Sequence, residues 1–200
     1  MNWGDITIGK YEKLTRIMNE DKGDDFTYNA IAVCFDKELD EVLSMNYVRV
    51  MQMAREIAPL SKSAPIPSRA KSEYKLNRKY KVVMNPNELT TAQYIDFQGV
   101  GNDYENNTPE LLAILMIPDG HTYNTGYEMK DVVKDIRDNM KVEDALGLAA
   151  FFLHLLRKSI AVARRKMKWQ LFRAKHSRKT TPEQREALEK VSQLLNGLRL

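Results

Sequence analysis

The sequence predicts a mainly α protein with a small β-hairpin, on three observations. Apolar residues recur at helical spacing over most of the chain. Strict alternation is confined to the stretch from Tyr74 to Met84. Residues 143–175 contain no proline and a single glycine, Gly147, enough for one long helix. At 200 residues, 43% hydrophobic and 29% charged, the chain is long enough for one sizeable core or two small ones. A single cysteine excludes an internal disulfide and any multi-cysteine zinc site, which fits a reducing compartment such as cytoplasm. The opening Met-Asn-Trp-Gly-Asp carries no basic stretch followed by an apolar one, so no secretory signal is read.

The expected organisation is an N-terminal helical unit over 1–59, a linker over 60–71, a hairpin plus helical domain over 72–179 and an amphipathic helix over 180–200. Ile8, Tyr11, Leu14, Ile17 and Met18 mark the first helix, and the Gly and Asp residues of 19–25 turn the chain into a second with Phe26, Ala30, Val33 and Cys34 on one face. After Asp36-Lys37-Glu38, the residues Leu39, Val42, Leu43, Tyr47, Val50 and Ala54 carry a further apolar face, so three or four short packed helices end at Pro59. Pro59, Pro65 and Pro67 allow no helix through the linker. Tyr74, Leu76, Tyr80, Val82 and Met84 fall on the apolar side of two strands joined at Asn77-Arg78, and such a hairpin must lie against helices. Thr90 and Gln93 have the spacing of a capping box, opening a helix with Tyr94, Ile95 and Phe97, and ended by Gly99 and Gly101. Thr108-Pro109-Glu110 starts the apolar run Leu111–Ile117, which Pro118-Asp119-Gly120 breaks. Met129, Val132, Val133, Ile136 and Met140 define an amphipathic helix.

The long helix has two unlike ends. Residues 145–156 are apolar on nearly all sides but too few to span a membrane, for which about 20 are needed, so they read as core. Residues 157–179 hold ten basic side chains and no acid, which leaves 4 minus 10, or −6, for the rest of the chain. Contact with a polyanion would use Arg157, Lys158, Arg164, Arg165, Lys166, Lys168, Arg173 and Lys175, with Trp169 and Phe172 adding stacking. The favoured alternative has Trp169 and Phe172 continue a core stripe while the cations complement the helix C-terminal dipole or pair with the acidic remainder of the same or another copy of the chain. Thr181-Pro182-Glu183-Gln184 opens the last helix, whose Val191, Leu194, Leu195 and Leu198 form a stripe that either folds back on the core or docks on a partner.

The common catalytic constellations fail. Gly99-Val100-Gly101 lacks the third glycine and the preceding strand of a dinucleotide site, and no phosphate loop ends in Gly-Lys-Ser/Thr. His154, among Phe and Leu with no ligand one turn away, reads as a packed core residue. His121 reads as a surface residue in a turn and Cys34 as a small buried hydrophobe. Asp36, Glu38, Asp40 and Glu41 read as a solvated helix face or capping cluster. No catalytic, metal or cofactor-binding residues are therefore expected, and the chain is expected not to be an enzyme.

The order of segments Ile6–Leu14, Asp40–Met45, Tyr47–Ile57, a small hairpin and then Leu89–Phe97 resembles the tail-assembly chaperone-like proteins of tailed bacteriophages, particularly phages of Bacteroidetes. The resemblance covers roughly residues 5–156 and rests on soft polar and apolar patterns. It implies a non-catalytic morphogenesis factor in the host cytoplasm that coats the aggregation-prone tape-measure protein while tail-tube subunits polymerise around it. The ten methionines, among them Met18, Met45, Met51 and Met53, offer the adaptable contact surface such a role needs. The basic stretch 157–179 departs from the pattern, which leaves open a permanent virion subunit of the neck, ring or tail, working as an oligomer, or a nucleic-acid-binding module. The expected partners are other phage proteins and possible further copies of this chain; no membrane contact is expected.

Overall fold

Helical periodicity decides most of the architecture in the computed structural model, which describes residues 1–20, 25–62, 64–100, 107–175 and 190. Helix α1 (Ile8–Glu20) buries Ile8, Gly9 and Leu14, while Met18 at its end is exposed. Helix α2 (Asp25–Cys34) buries Ala30, Ile31, Ala32 and Cys34. It stops in a left-handed turn: Asp36 has φ 53°, and the Lys37 N–H donates back to the Ala32 carbonyl at 2.9 Å. The Lys10 ammonium pins this turn, donating to the Cys34 carbonyl at 2.9 Å and the Asp36 carboxylate at 2.6 Å.

Helices α3 (Leu39–Leu43) and α4 (Tyr47–Ile57) both pack on α2. Asn46 caps α4, its side-chain oxygen accepting from the Val48 N–H at 2.8 Å. The cluster beneath them joins Ile31, Ala32, Val42, Val50 and Met53, with Tyr28, Phe35, Met45, Ala54 and Ile57 at its edge.

Strands β1 (Glu73–Lys75) and β2 (Lys79–Val82) form the expected hairpin, with Tyr74 opposite Tyr80 and both buried. Its connection is three residues, Leu76 to Arg78, rather than the two-residue Asn77-Arg78 turn, and the Leu76 N–H donates to the Arg78 carbonyl at 2.9 Å. Arg78 lacks the freedom for the second position of a tight primed turn, and the longer loop avoids that demand. Helix α5 (Thr91–Val100) opens on the predicted capping box: the Thr90 N–H donates to Gln93 Oε1 at 3.0 Å and the Gln93 N–H to Thr90 Oγ1 at 3.2 Å.

The apolar run after Pro109 divides in two. Helix α6 (Thr108–Leu115) is buried on all sides, which explains its lack of amphipathic period. Residues Met116–Pro118 form a third strand, β3, that pairs antiparallel with β2 to give the order β1-β2-β3. Helix α7 (Met129–Asn139) packs on both α6 and α1, burying Val132 and Ile136. Helix α8 runs from Val142 to Lys175.

The chain divides into two units, Met1–Phe152 and Leu153–Leu200. The boundary is thus inside the long helix, not at residues 60–71. Within the first unit the chain start joins the later helices. Thr7 bridges Lys141, the Ile8 N–H donates to the Met140 carbonyl and the Val142 N–H to the Ile6 carbonyl, each at 2.9 Å. The proline-containing stretch expected as a linker is a strap along the first turns of α8. The Ser68 N–H donates to the Glu143 carbonyl at 2.9 Å, Ser68 Oγ lies 2.5 Å from the Asp144 carboxylate, and Lys71 pairs with Asp144 at 3.0 Å. Proline prevents helix there, but the extended backbone still finds partners, which composition does not reveal.

A buried polar joint fixes the hairpin to α7. The Asp135 carboxylate accepts from the Tyr80 hydroxyl at 2.6 Å, from Asn139 Nδ2 at 2.8 Å and from the Asn77 N–H at 3.4 Å. Burial, then the hydrogen bond to Asp135, pushes the Tyr80 phenol pKa upward. Asp135→Ala strands that hydroxyl in a buried site, so a loss of about 2 kcal/mol in a urea unfolding titration is the expected result.

Candidate protein-docking surface

Leucine, tyrosine, valine and methionine on helices are normally core, yet α3 and α4 turn several outward. Leu43 is 56% exposed, Tyr47 70% and Val48 64%, with Leu39 and Met51 also open. The physical cause is visible along α4. Val50, Met53, Ala54 and Ile57 occupy the side facing α2, whereas Tyr47, Val48, Met51 and Arg55 fall on an arc of about 100° beside it. On α3, Val42 faces inward, and Leu39 and Leu43, four residues apart, do not. Leu39, Leu43 and Tyr47, expected on a core face, are therefore not core. The sequence shows one long apolar stripe, but the short helices have only one side covered.

The acids Asp36, Glu38, Asp40 and Glu41 are all exposed, as expected of a solvated face. Asp36 pairs with Lys10 and Glu41 with Lys37, so Glu38 and Asp40 remain as unneutralised carboxylates at the start of α3 among the described residues. The outward side of α3 thus carries Leu39 and Leu43 beside two unneutralised carboxylates, and that of α4 carries Tyr47, Val48 and Met51 beside Arg55. Each apolar side chain of this kind, fully buried, is worth roughly 1.5–3 kcal/mol, so covering the face favours association.

Of the four methionines expected to serve contact, Met18 and Met51 are exposed, Met45 is half-buried and Met53 is fully buried. Helix α5 also differs from its expected stripe: Tyr94 and Ile95 are exposed, and Gln93 is 1% exposed. Gln93 Nε2 donates to the Ile114 carbonyl at 2.7 Å, which would otherwise be unpaired where α6 passes into β3. The capping-box spacing was the only sequence signal for that residue.

Beside α5 lies a groove of about 640 Å³ lined by Ile95, Val100, Ile114, Met129 and Val133, with Asp96, Glu110 and Tyr123 as polar groups. Asp96, Tyr123 and one oxygen of Glu110 are engaged within the fold. The Tyr123 hydroxyl donates to Asp96 at 2.7 Å, and burial together with that bond raises the phenol pKa. Glu110 accepts from Arg137 at 2.8 Å.

Cys34 is buried, and burial pushes its thiol up to about 11, consistent with a small hydrophobe. His121 is exposed and meets Tyr127 edge-on at 5.9 Å. His154, expected in the core, is exposed instead, lying well round the helix from the buried arc of Ala145, Leu148 and Phe152. Among the described residues no group of three potential metal ligands converges, and no helix is long and apolar enough to cross a membrane.

In the second unit, Arg157, Lys158, Arg165, Lys166, Lys168 and Arg173 are exposed. Trp169 is 57% exposed, with the Arg173 guanidinium 4.6 Å from its ring centre, so it does not continue a core stripe. The side chains of Arg164, Phe172 and Lys175, and the stripe Val191, Leu194, Leu195 and Leu198, lie outside the described residues. No known protein family, no curated protein and no solved structure matches this chain.

Proposed function

We propose that this chain is a non-catalytic assembly protein that binds another protein through the outward face of α3 and α4, as a bacteriophage tail-assembly chaperone would bind its tape-measure protein. The observation that carries the reading is the set of large apolar side chains held outward on helices whose inner side already contains a complete cluster. The occupant is an amphipathic helix of the client. Its apolar stripe covers Leu43, Tyr47 and Val48, and a lysine or arginine near its end meets Glu38 and Asp40. Such a helix repeats along a long coiled client, and one apolar face serves many registers.

The expected result is co-elution of the purified chain with tape-measure fragments in size-exclusion chromatography. Leu43→Asp combined with Val48→Asp abolishes the complex, and an unchanged circular dichroism spectrum shows that the fold survives. An intact complex with the double variant, or no co-elution of the native chain in any buffer, counts against the reading. Mass spectrometry of purified particles tests the transient role: stoichiometric recovery there makes the chain a permanent virion subunit instead.

A further inference from the structure

We propose that the α8 segment of the second unit around Trp169 binds single-stranded nucleic acid, the indole serving as a stacking platform and the neighbouring cations as phosphate contacts. The placement of the aromatic ring on the helix carries the inference. Arg165 lies one turn before Trp169 and Arg173 one turn after it, with Lys166 three residues before, so the ring stands in a row of cations. Met167 and Leu171 share another face, about 200° around the helix from Trp169. A helix packed into a core, or lying on a lipid surface, places its tryptophan with Met167 and Leu171. Here Trp169 shares its side of the helix with Arg165, Lys166 and Arg173 as well as Phe172, and the ring is 57% exposed.

Along the helix the cations have no carboxylate neighbour. No Asp or Glu occurs from residue 145 to residue 182, so no carboxylate stands three or four positions from any of them along the helix. Arg165, Lys166, Lys168 and Arg173 are all exposed, and the Arg173 guanidinium lies over one face of the Trp169 ring, 4.6 Å from its centre, leaving the opposite face for a base. An acidic protein would satisfy the charges and bury the indole as a contact, which is why polyglutamate serves as the competing ligand in the test. An unpaired base uses both, because its phosphate meets the cations and its ring meets the indole.

The test is fluorescence anisotropy of a dye-labelled oligothymidylate titrated with the full chain across a series of salt concentrations. Four phosphate contacts give a slope of log affinity against log salt of about −3. Trp169→Ala weakens binding about tenfold without changing that slope, and Trp169→Phe restores most of the loss. Lys166→Gln combined with Lys168→Gln makes the slope shallower by about 1.4. The proposal is overturned by absence of binding at low salt, by polyglutamate or a DNA duplex binding as tightly as the single strand, or by unchanged affinity in Trp169→Ala. None of these outcomes depends on the α3–α4 face, so the two readings fail separately.

Discussion

Replacing Gly147 by alanine lowers the stability of the first unit by about 3 kcal/mol, although alanine is the better helix former by about 1 kcal/mol. A Cβ built at Gly147 comes within 2.0 Å of the Ser68 carbonyl oxygen, 2.9 Å of its carbon and 3.0 Å of its nitrogen. All three are backbone atoms of the strap, and none of them can rotate away. The strap must therefore lift, which breaks the Ser68 N–H bond to Glu143 and the contacts of Ser68 and Lys71 with Asp144. For a chain of this size the loss corresponds to a fall of about 6–12 °C in melting temperature by calorimetry. A melting temperature that rises in Gly147→Ala would mean that helix propensity outweighs the strap.

Arg137→Met produces the second large effect. Arg137 on α7 joins three helices, donating to Glu12 of α1 at 3.1 Å and to Glu110 of α6 at 2.8 Å. The second oxygen of each carboxylate, Glu12 Oε1 and Glu110 Oε2, is buried without a hydrogen-bond partner, so two acids share one cation. Removing the guanidinium leaves both unpaired. A fully buried pair broken in this way costs about 3–5 kcal/mol, and the partial exposure of Arg137 lowers the expectation to about 2–3 kcal/mol by urea unfolding. The α1–α7 contact makes this site demanding in a further way: a Cβ on Gly9 meets the Arg137 carbonyl at 2.6 Å, so the helices approach with no room for another side chain.

The same cluster predicts a pH dependence. Burial raises the Glu12 pKa above its ordinary 4.5, and the adjacent Arg137 offsets only part of the rise. A carboxyl with a raised folded value binds its proton more readily folded than unfolded. Its contribution to stability is present below the unfolded value and is lost as pH rises through the folded one. Glu12→Gln removes that titration, so melting temperatures of native and variant proteins diverge as pH rises from about 4.5 towards neutrality, the native chain losing ground. Parallel curves over that window would show that Glu12 is ionised in the fold at no cost.

Periodicity, turn residues and caps made most helices and the hairpin readable, because each is settled within a few residues. The Thr90–Gln93 box and the proline-opened α6 are local in this sense. The third strand was not readable. Met116 to Pro118 continues an apolar run without alternation, and it becomes a strand only because β2 offers it an edge. The exposed apolar side chains of α3 and α4 were legible as composition but not as location, since nothing near Leu43, Tyr47 or Val48 in sequence tells whether another helix covers them.

The sequence by itself determined where chain segments become helical, that residues 157–179 carry unrelieved positive charge, and that the usual catalytic motifs do not occur. Tertiary structure alone decided which side of each helix is covered. It set Gln93 inside and Leu43 outside, made a strap of a supposed linker, and turned Gly147 into a crossing point. The physical reason is that backbone hydrogen bonding and side-chain period act over one or two turns, whereas burial depends on partners brought from far along the chain.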